Sequence, residues 1–363
     1  MKKILVLILG LMLAQAGMAA PRPDGRIRMA DFSDVAENTI DAVVHIRCEV
    51  TKVTPLYESF FGFIIDRGQR QQQYVAFGSG VIISKDGYII TNNHVVQDAA
   101  KIVVTLNDKR EVAARLVGND PATDLAIIKI ECKDLRWIPF GNSDAVRVGE
   151  PVLAIGNPFN LTSTVTAGII SAKARNMNII DNVEGLESPI ESFLQTDAAV
   201  NSGNSGGALV NGNAELIGII TAIASGNGYY TGYSFAIPSN LAVKVSEDLK
   251  KYGYVQRAYL GVNVVEVLNG VRIEVALPNC AVQRAGLKEG DIIKAINGVA
   301  IKSYSEMMEE VGRFSPGDKV AVTYERDGKT FTADVVLLNS KGTTEILTRE
   351  RMEAERANRG RRY

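Results

Sequence analysis

From about residue 32 to residue 237 the chain alternates short apolar runs with Gly, Asn and Asp turns. Runs at 80–83, 88–90, 102–104, 125–130, 151–155 and 216–220 have the length of strands, and 43–50 alternates apolar with polar positions. Strands at this spacing, with little helical periodicity between them, predict a β-barrel or sandwich. Two helices interrupt the pattern. One is expected over 31–42, capped by Ser33. The other is expected over 239–252, where Leu241, Val245 and Leu249 recur at four-residue spacing and Gly253 stops the helix. Residues 54–76, with Phe60, Phe61, Phe63 and a polar run at 69–73, read as a long surface loop, and so do residues 173–192.

After Gly253 the character changes. Strands are expected at 259–267 and 271–276, a tight turn at 285–291, then a strand ending in Asn297-Gly298. A helix over 305–311 and a hairpin of 319–324 with 330–337 across Asp327-Gly328 complete a compact α+β module. Residues 340–363 form a charged tail with Glu and Arg interleaved, which reads as a solvated helix or an unstructured end.

Length, 363 residues, allows two or three domains. A formal net charge of -1 lacks the concentrated basic surface that phosphate binding needs, so nucleic acid is not an expected partner. The first 20 residues have a basic head at Lys2 and Lys3, an apolar stretch and small residues up to Ala20. That is the form of a secretory signal peptide cleaved after Ala19 or Ala20; the alternative is an uncleaved anchor, the one route to a membrane here. Either places the remainder outside the inner membrane. Cys48, Cys132 and Cys280 leave one thiol over in any pairing and read as isolated thiols.

Two histidines, His45 and His94, leave too few imidazoles for the usual zinc hydrolase sites, and no metal or other cofactor is expected. No phosphate-binding Gly-rich loop with Lys-Ser/Thr appears, so ATP is not expected either. His45 sits in an alternating strand and reads as a packed or edge residue. His94 follows a strand end in Thr91-Asn92-Asn93-His94-Val95-Val96. The segment Asn201-Ser202-Gly203-Asn204-Ser205-Gly206-Gly207 has glycines on both sides of a serine. Such a backbone can bend sharply, expose the hydroxyl and aim N–H groups at a developing oxyanion. Alone, it is equally a Gly-rich turn between strands.

Together with Thr123-Asp124-Leu125-Ala126-Ile127-Ile128-Lys129, these two segments resemble the three catalytic motifs of the HtrA/Deg family of trypsin-fold serine proteases, in the order His, Asp, Ser. Further similarity lies at Gly78-Ser79-Gly80, Ala154 to Phe159, Gln195 to Ala199 and Gly232 to Pro238, and it covers nearly all of residues 31–338. The resemblance implies two six-stranded antiparallel β-barrels of trypsin type over 31–250. It makes Ser205 the nucleophile, His94 its base and Asp124 the residue that orients His94. The N–H groups of Gly203 and Ser205, with Asn204 between them, become the oxyanion hole. Ala199, six residues before Ser205, becomes the floor of the specificity pocket, walled by Ile219, Ile220 and Thr221. That pocket holds no charge for Lys or Arg and suits small or medium aliphatic residues.

Over 256–339 the chain resembles a PDZ domain, with Tyr259-Leu260-Gly261-Val262 as the loop that holds a peptide carboxylate. The resemblance further implies a periplasmic protease for unfolded polypeptides, with chaperone activity beside it, assembled as a homotrimer or higher oligomer. It also makes the 173–192 loop, with Arg175, a sensor of PDZ ligation. Two alternatives stay open: a regulatory protease triggered by C-termini at the PDZ domain, and a non-catalytic PDZ scaffold or holdase.

Overall fold

The computed structural model describes residues 32–60, 63–158, 163–180, 189–223 and 232–348. The expected signal segment at 1–20, Phe61, residues 181–188 of the second loop and the tail beyond 348 lie outside the described residues.

The described chain opens with α1 (Ser33–Thr39), continued by a 3-10 turn (Ile40–Ala42). Phe32 rather than Ser33 is the N-cap. The Ala36 N–H donates to the Phe32 carbonyl at 2.9 Å, so the cap lies one residue earlier than expected and no side chain makes it. Six strands follow: β1 (Val43–Phe60), β2 (Phe63–Ile82), β3 (Tyr88–Asn92), β4 (Ala99–Thr105), β5 (Glu111–Asp120) and β6 (Leu125–Ile130), with a one-turn helix α2 (Asn93–Val96) after β3. They close antiparallel in the order β1-β2-β3-β6-β5-β4. A second barrel is built from β7 (Pro151–Gly156), β8 (Thr164–Arg175), β9 (Phe193–Thr196), β10 (Ala208–Val210), β11 (Leu216–Ile223) and β12 (Ser234–Pro238), in the order β10-β11-β12-β9-β8-β7. Closure pairs every strand on both sides and leaves no edge.

All six positions of β6 are buried, which is why 125–130 reads as a continuous apolar run. Helix α3 (Ser239–Tyr252) covers the outside of β5 and β6, burying Leu241, Val245 and Leu249, and ends at Gly253 in the left-handed region. Residues 54–76 are not a loop. β1 and β2 stay paired residue by residue from Val43↔Val81 to Phe60↔Phe63, with one irregularity between Pro55 and Tyr57. β4 leaves β1 at Val50, so beyond that point the two strands run on as a ribbon. Main-chain pairing joins the two strands of the ribbon.

The C-terminal module contains β13 (Val262–Val267), β14 (Gly270–Ala276), α4 (Ala281–Arg284), β15 (Ile292–Ile296), β16 (Val299–Ala300), α5 (Tyr304–Gly312), β17 (Lys319–Arg326) and β18 (Lys329–Val336). The sheet order is β13-β14-β15-β17-β18, with β16 beside β15, so β13 is an edge strand. Residues 259–261, expected within the first strand, precede it. The Tyr259 N–H instead bonds the Leu338 carbonyl at 2.8 Å, and the Leu260 and Gly261 carbonyls accept from Val282 and Leu277.

The connection between the barrels and this module is buried. Val255, Gln256, Arg257 and Ala258 are each at most 6% exposed. The Gln256 N–H donates to Asp248 at 2.7 Å, and Arg257 pairs with buried Asp120, which also accepts the Thr123 hydroxyl at 2.5 Å. The first part of the expected solvated tail folds back. Asn339 organises residues 341–345 through its amide, and Leu347 is clipped to the Gln256 amide by bonds of 2.5 and 2.8 Å. Helix α5 docks on the barrels: Arg313 makes two 2.7 Å bonds to Asp144, and Ser192 donates to Glu309 at 2.5 Å.

Removing one member of a buried ion pair strands the other, at a cost of about 3–5 kcal/mol. Arg257→Ala is therefore expected to lower the denaturant midpoint strongly. The double variant Arg257→Met with Asp120→Asn is expected to recover part of the loss; equilibrium unfolding of the three proteins checks this.

Candidate active site

β3 ends at Asn92 and the chain turns at once into α2, which carries His94 at its second position. The Asn93 N–H and the Asn92 side-chain amide both donate to the Asp124 carbonyl at 3.0 Å, which fixes where α2 starts. Asp124 ends a tight turn, its N–H 3.3 Å from the Pro121 carbonyl, just before β6. Its φ of 55° is left-handed, a region Asp tolerates better than most residues with a side chain. In that conformation its carbonyl and its carboxylate both engage residues 92–94.

Asp124 Oδ1 accepts the His94 N–H at 3.0 Å, and Oδ2 lies 2.8 Å from His94 Nδ1. A carboxylate partner puts the proton on Nδ1 and leaves Nε2 with its lone pair, as a general base requires. The Thr221 hydroxyl, from β11, donates to the same Oδ2 at 2.8 Å. The Thr221 carbonyl accepts the Ser205 hydroxyl at 3.3 Å. Ser205, Thr221, Asp124 and His94 thus form one hydrogen-bonded chain across the junction of the barrels. The Ser205 hydroxyl is on Thr221 rather than on His94; such contacts commonly tighten only with substrate bound.

Ser205 follows a type II turn. The Asn204 N–H donates to the Asn201 carbonyl at 3.0 Å, and Gly203, the third residue, has φ of 97°, which this turn demands and glycine supplies. Across residues 203–207 the N–H groups of Asn204, Gly206 and Gly207 bond the carbonyls of Asn201, Ile220 and Asn204. Those of Gly203 and Ser205 find no acceptor among the described residues. Asn204, included in the expected oxyanion set, is different because its N–H closes the turn.

The family described as trypsin-like peptidase domain matches residues 78–219, and that described as PDZ domain matches 258–337. The chain is 43% identical over 287 residues to the periplasmic serine endoprotease DegP of Escherichia coli K12, covering 75% of this chain and 59% of that protein. A probable DegP-like protease of Chlamydia trachomatis is 42% identical over 296 residues, and the chain spans 58% of its length. The periplasmic pH-dependent serine endoprotease DegQ of Escherichia coli K12 is 37% identical over 370 residues, 95% of this chain and 80% of DegQ. The HtrA-type protease AlgW, solved with a tripeptide, superposes with a TM-score of 0.64 at 36% identity, over 85% of this chain and 97% of its own. The chain belongs to the HtrA/Deg family of serine endoproteases.

The other residues expected in an HtrA/Deg site are placed unevenly. Ala199 is partly buried, its carbonyl bonded by the Thr166 hydroxyl at 2.8 Å. Ile219 and Ile220 are core residues instead of pocket walls, because β11 is buried on both faces from Leu216 to Thr221. The Thr221 hydroxyl is taken by Asp124. Arg175 is exposed at the end of β8, its Nε 3.2 Å from the Gln195 amide oxygen. In the PDZ loop, Gly261 has φ of 77°, and a Cβ there would meet the Cys280 Cβ at 2.3 Å. Thr221 and Asn92 are partners of Asp124 that the motifs did not single out; the available signal was a lone hydroxyl within an otherwise apolar strand.

His45 is buried, its Nδ1 2.9 Å from the Asn157 carbonyl and its ring stacked on Phe77 at 5.6 Å. Burial holds its pKa below the ordinary 6.5; the bond to Asn157 opposes this and Arg47 adds to it. The unfolded chain therefore takes up this proton more readily than the folded one. Stability is whole above pH 6.5 and falls as the pH drops through the folded pKa. His45→Gln is expected to lose less in Tm than the parent between about pH 7.5 and about pH 5, the range in which a histidine titrates; melting curves at both pH values check it.

Proposed function

We propose that the protein is an ATP-independent serine endopeptidase acting on unfolded polypeptides in the periplasm. The observation that carries this is the Ser205–Thr221–Asp124–His94 chain, set beside the two unbonded N–H groups of Gly203 and Ser205. Ser205 leaves the Thr221 carbonyl, and its oxygen bonds the scissile carbonyl carbon while its proton passes to His94 Nε2. The negative oxygen is held by the N–H groups of Gly203 and Ser205, a contribution worth about 10²–10³ in turnover per donor. His94 then protonates the leaving amine as the C–N bond breaks, and water, with His94 again the base, hydrolyses the acyl-enzyme. Asp124, held by Thr221, orients the imidazole and stabilises its cation.

The PDZ domain binds peptide C-termini at the free edge of β13, the carboxylate on the loop of Tyr259, Leu260, Gly261 and Val262, by strand addition. Oligomers, trimers in this reading, form through the barrel part. The family relationship and the periplasmic relatives support both the assembly and the location. A second reading, a regulatory protease switched on by PDZ ligation with Arg175 in the relay, draws on one observation: α5 is tied to Asp144 and Ser192 of the barrels. Breadth of substrate separates the two, unfolded casein-like chains against a single protein.

A fluorophosphonate probe is expected to label Ser205, and Ser205→Ala to abolish labelling and lower turnover by about 10⁶. Labelling that persists in the variant would falsify the assignment. With Ala199 as the pocket floor, cleavage products of denatured casein are expected to end in Val or Ala; mass spectrometry showing strict cleavage after Arg would overturn this.

A further inference from the structure

Ser79, on β2, is fully buried and makes four hydrogen bonds, all to residues around the nucleophile. Its N–H donates to the Ser205 carbonyl at 2.8 Å. Its hydroxyl donates to the Gly203 carbonyl at 2.7 Å and accepts from the Asn157 N–H at 2.8 Å. Its carbonyl accepts the hydroxyl of Thr91, which lies on the strand leading to His94, at 2.7 Å. The fit is close: a Cβ on Gly206 would meet the Ser79 carbonyl oxygen at 2.1 Å.

Two of these bonds are made by the side chain and two by the main chain, and together they place this one residue between the halves of the site. The two carbonyls it holds, Gly203 and Ser205, flank the Asn204–Ser205 peptide that carries one free N–H, and Gly203 carries the other. The Asn204–Ser205 peptide lies between the two pinned carbonyls, so the Ser205 N–H cannot rotate without breaking a bond to Ser79, while the Gly203 N–H sits on the peptide just before the pinned segment. Through Thr91 the same residue is fixed to the barrel that supplies His94 and Asp124, so nucleophile and base share a reference point. Asn157, the other partner of the hydroxyl, is itself held by His45 through its carbonyl.

We propose that Ser79 is a positioning residue for catalysis, whose hydroxyl, by holding the Gly203 carbonyl, keeps the following Ser205 N–H set for the tetrahedral intermediate. It touches no substrate. Because substrate binding does not involve this hydroxyl, its loss reads in the transition state and not in the ground state.

The inference rests on the catalytic reading of Ser205, and the experiment separates the two. Ser79→Ala removes the hydroxyl; Ser79→Cys removes most of its hydrogen bonding and keeps its volume, so the fold is retained should the smaller variant leave a gap. For each folded variant, judged by its melting curve, kcat is expected to fall by about 10- to 100-fold, up to the lower end of the loss of about 10²–10³ for a missing oxyanion donor. KM is expected to stay within about twofold of the parent. The inhibition constant of a peptidyl boronate, which mimics the tetrahedral species, is expected to rise in parallel with the loss in kcat. The pH midpoint of kcat/KM is expected to stay where it is, since His94 and Asp124 are untouched. A folded variant that keeps kcat within about threefold, or one whose loss lies in KM alone, overturns the inference. If the parent protein itself is not labelled at Ser205 by a fluorophosphonate, the catalytic reading falls and this inference with it.

Discussion

The two barrels meet at a buried carboxylate, and the site depends on how it is satisfied. Asp124 is 9% exposed. A carboxylate in that position is several kcal/mol too costly unless donors replace the water it has lost. His94 supplies two donors from the first barrel and Thr221 one from the second. The barrels therefore cannot slide or separate without stranding a charge. The same bonds that lower that cost set the tautomer of His94 and bring the Thr221 carbonyl to Ser205. Chemistry and interbarrel docking draw on one set of atoms, and the left-handed backbone of Asp124 allows carbonyl and carboxylate to serve α2 together.

Much of this was legible in the chain itself, for identifiable reasons. β6 and β11 are covered on both faces and read as apolar runs, while α3 covers one face and keeps a clean four-residue spacing. The residues proposed for the chemistry sit at breaks in those patterns, where a His or a Ser between glycines is conspicuous. What escaped reading were residues whose role lies in their backbone or in a distant partner. Ser79 reads as a small residue in a glycine-rich strand, since nothing local reveals that Gly203 and Ser205, far along the chain, end on it. Thr221 reads as pocket wall because its partner is 97 residues away. The ribbon of β1 and β2 escaped because main-chain pairing joins it, and such pairing leaves no mark of its own on the pattern of apolar positions.

Cys48 shows the same separation of chemistry from sequence. It is buried in the first barrel, and burial raises its thiol pKa to about 12, so essentially none is thiolate at neutral pH. In an oxidising compartment it is protected by packing alone. Cys132, by contrast, is only partly covered and lies 3.2 Å from Arg110 Nη1.

The buried connection bears on how this protein can be cut apart. A protease fragment ending at Gly253, the natural place to stop after α3, lacks Arg257 and leaves Asp120 without its guanidinium partner, three residues before Thr123, whose hydroxyl it accepts. Such a fragment loses two things at once, the PDZ module and the counter-charge under the turn that carries Asp124. A loss of turnover in it says nothing about sensing through the PDZ domain. A fragment ending after Ala258 retains Arg257 and isolates the contribution of the module alone.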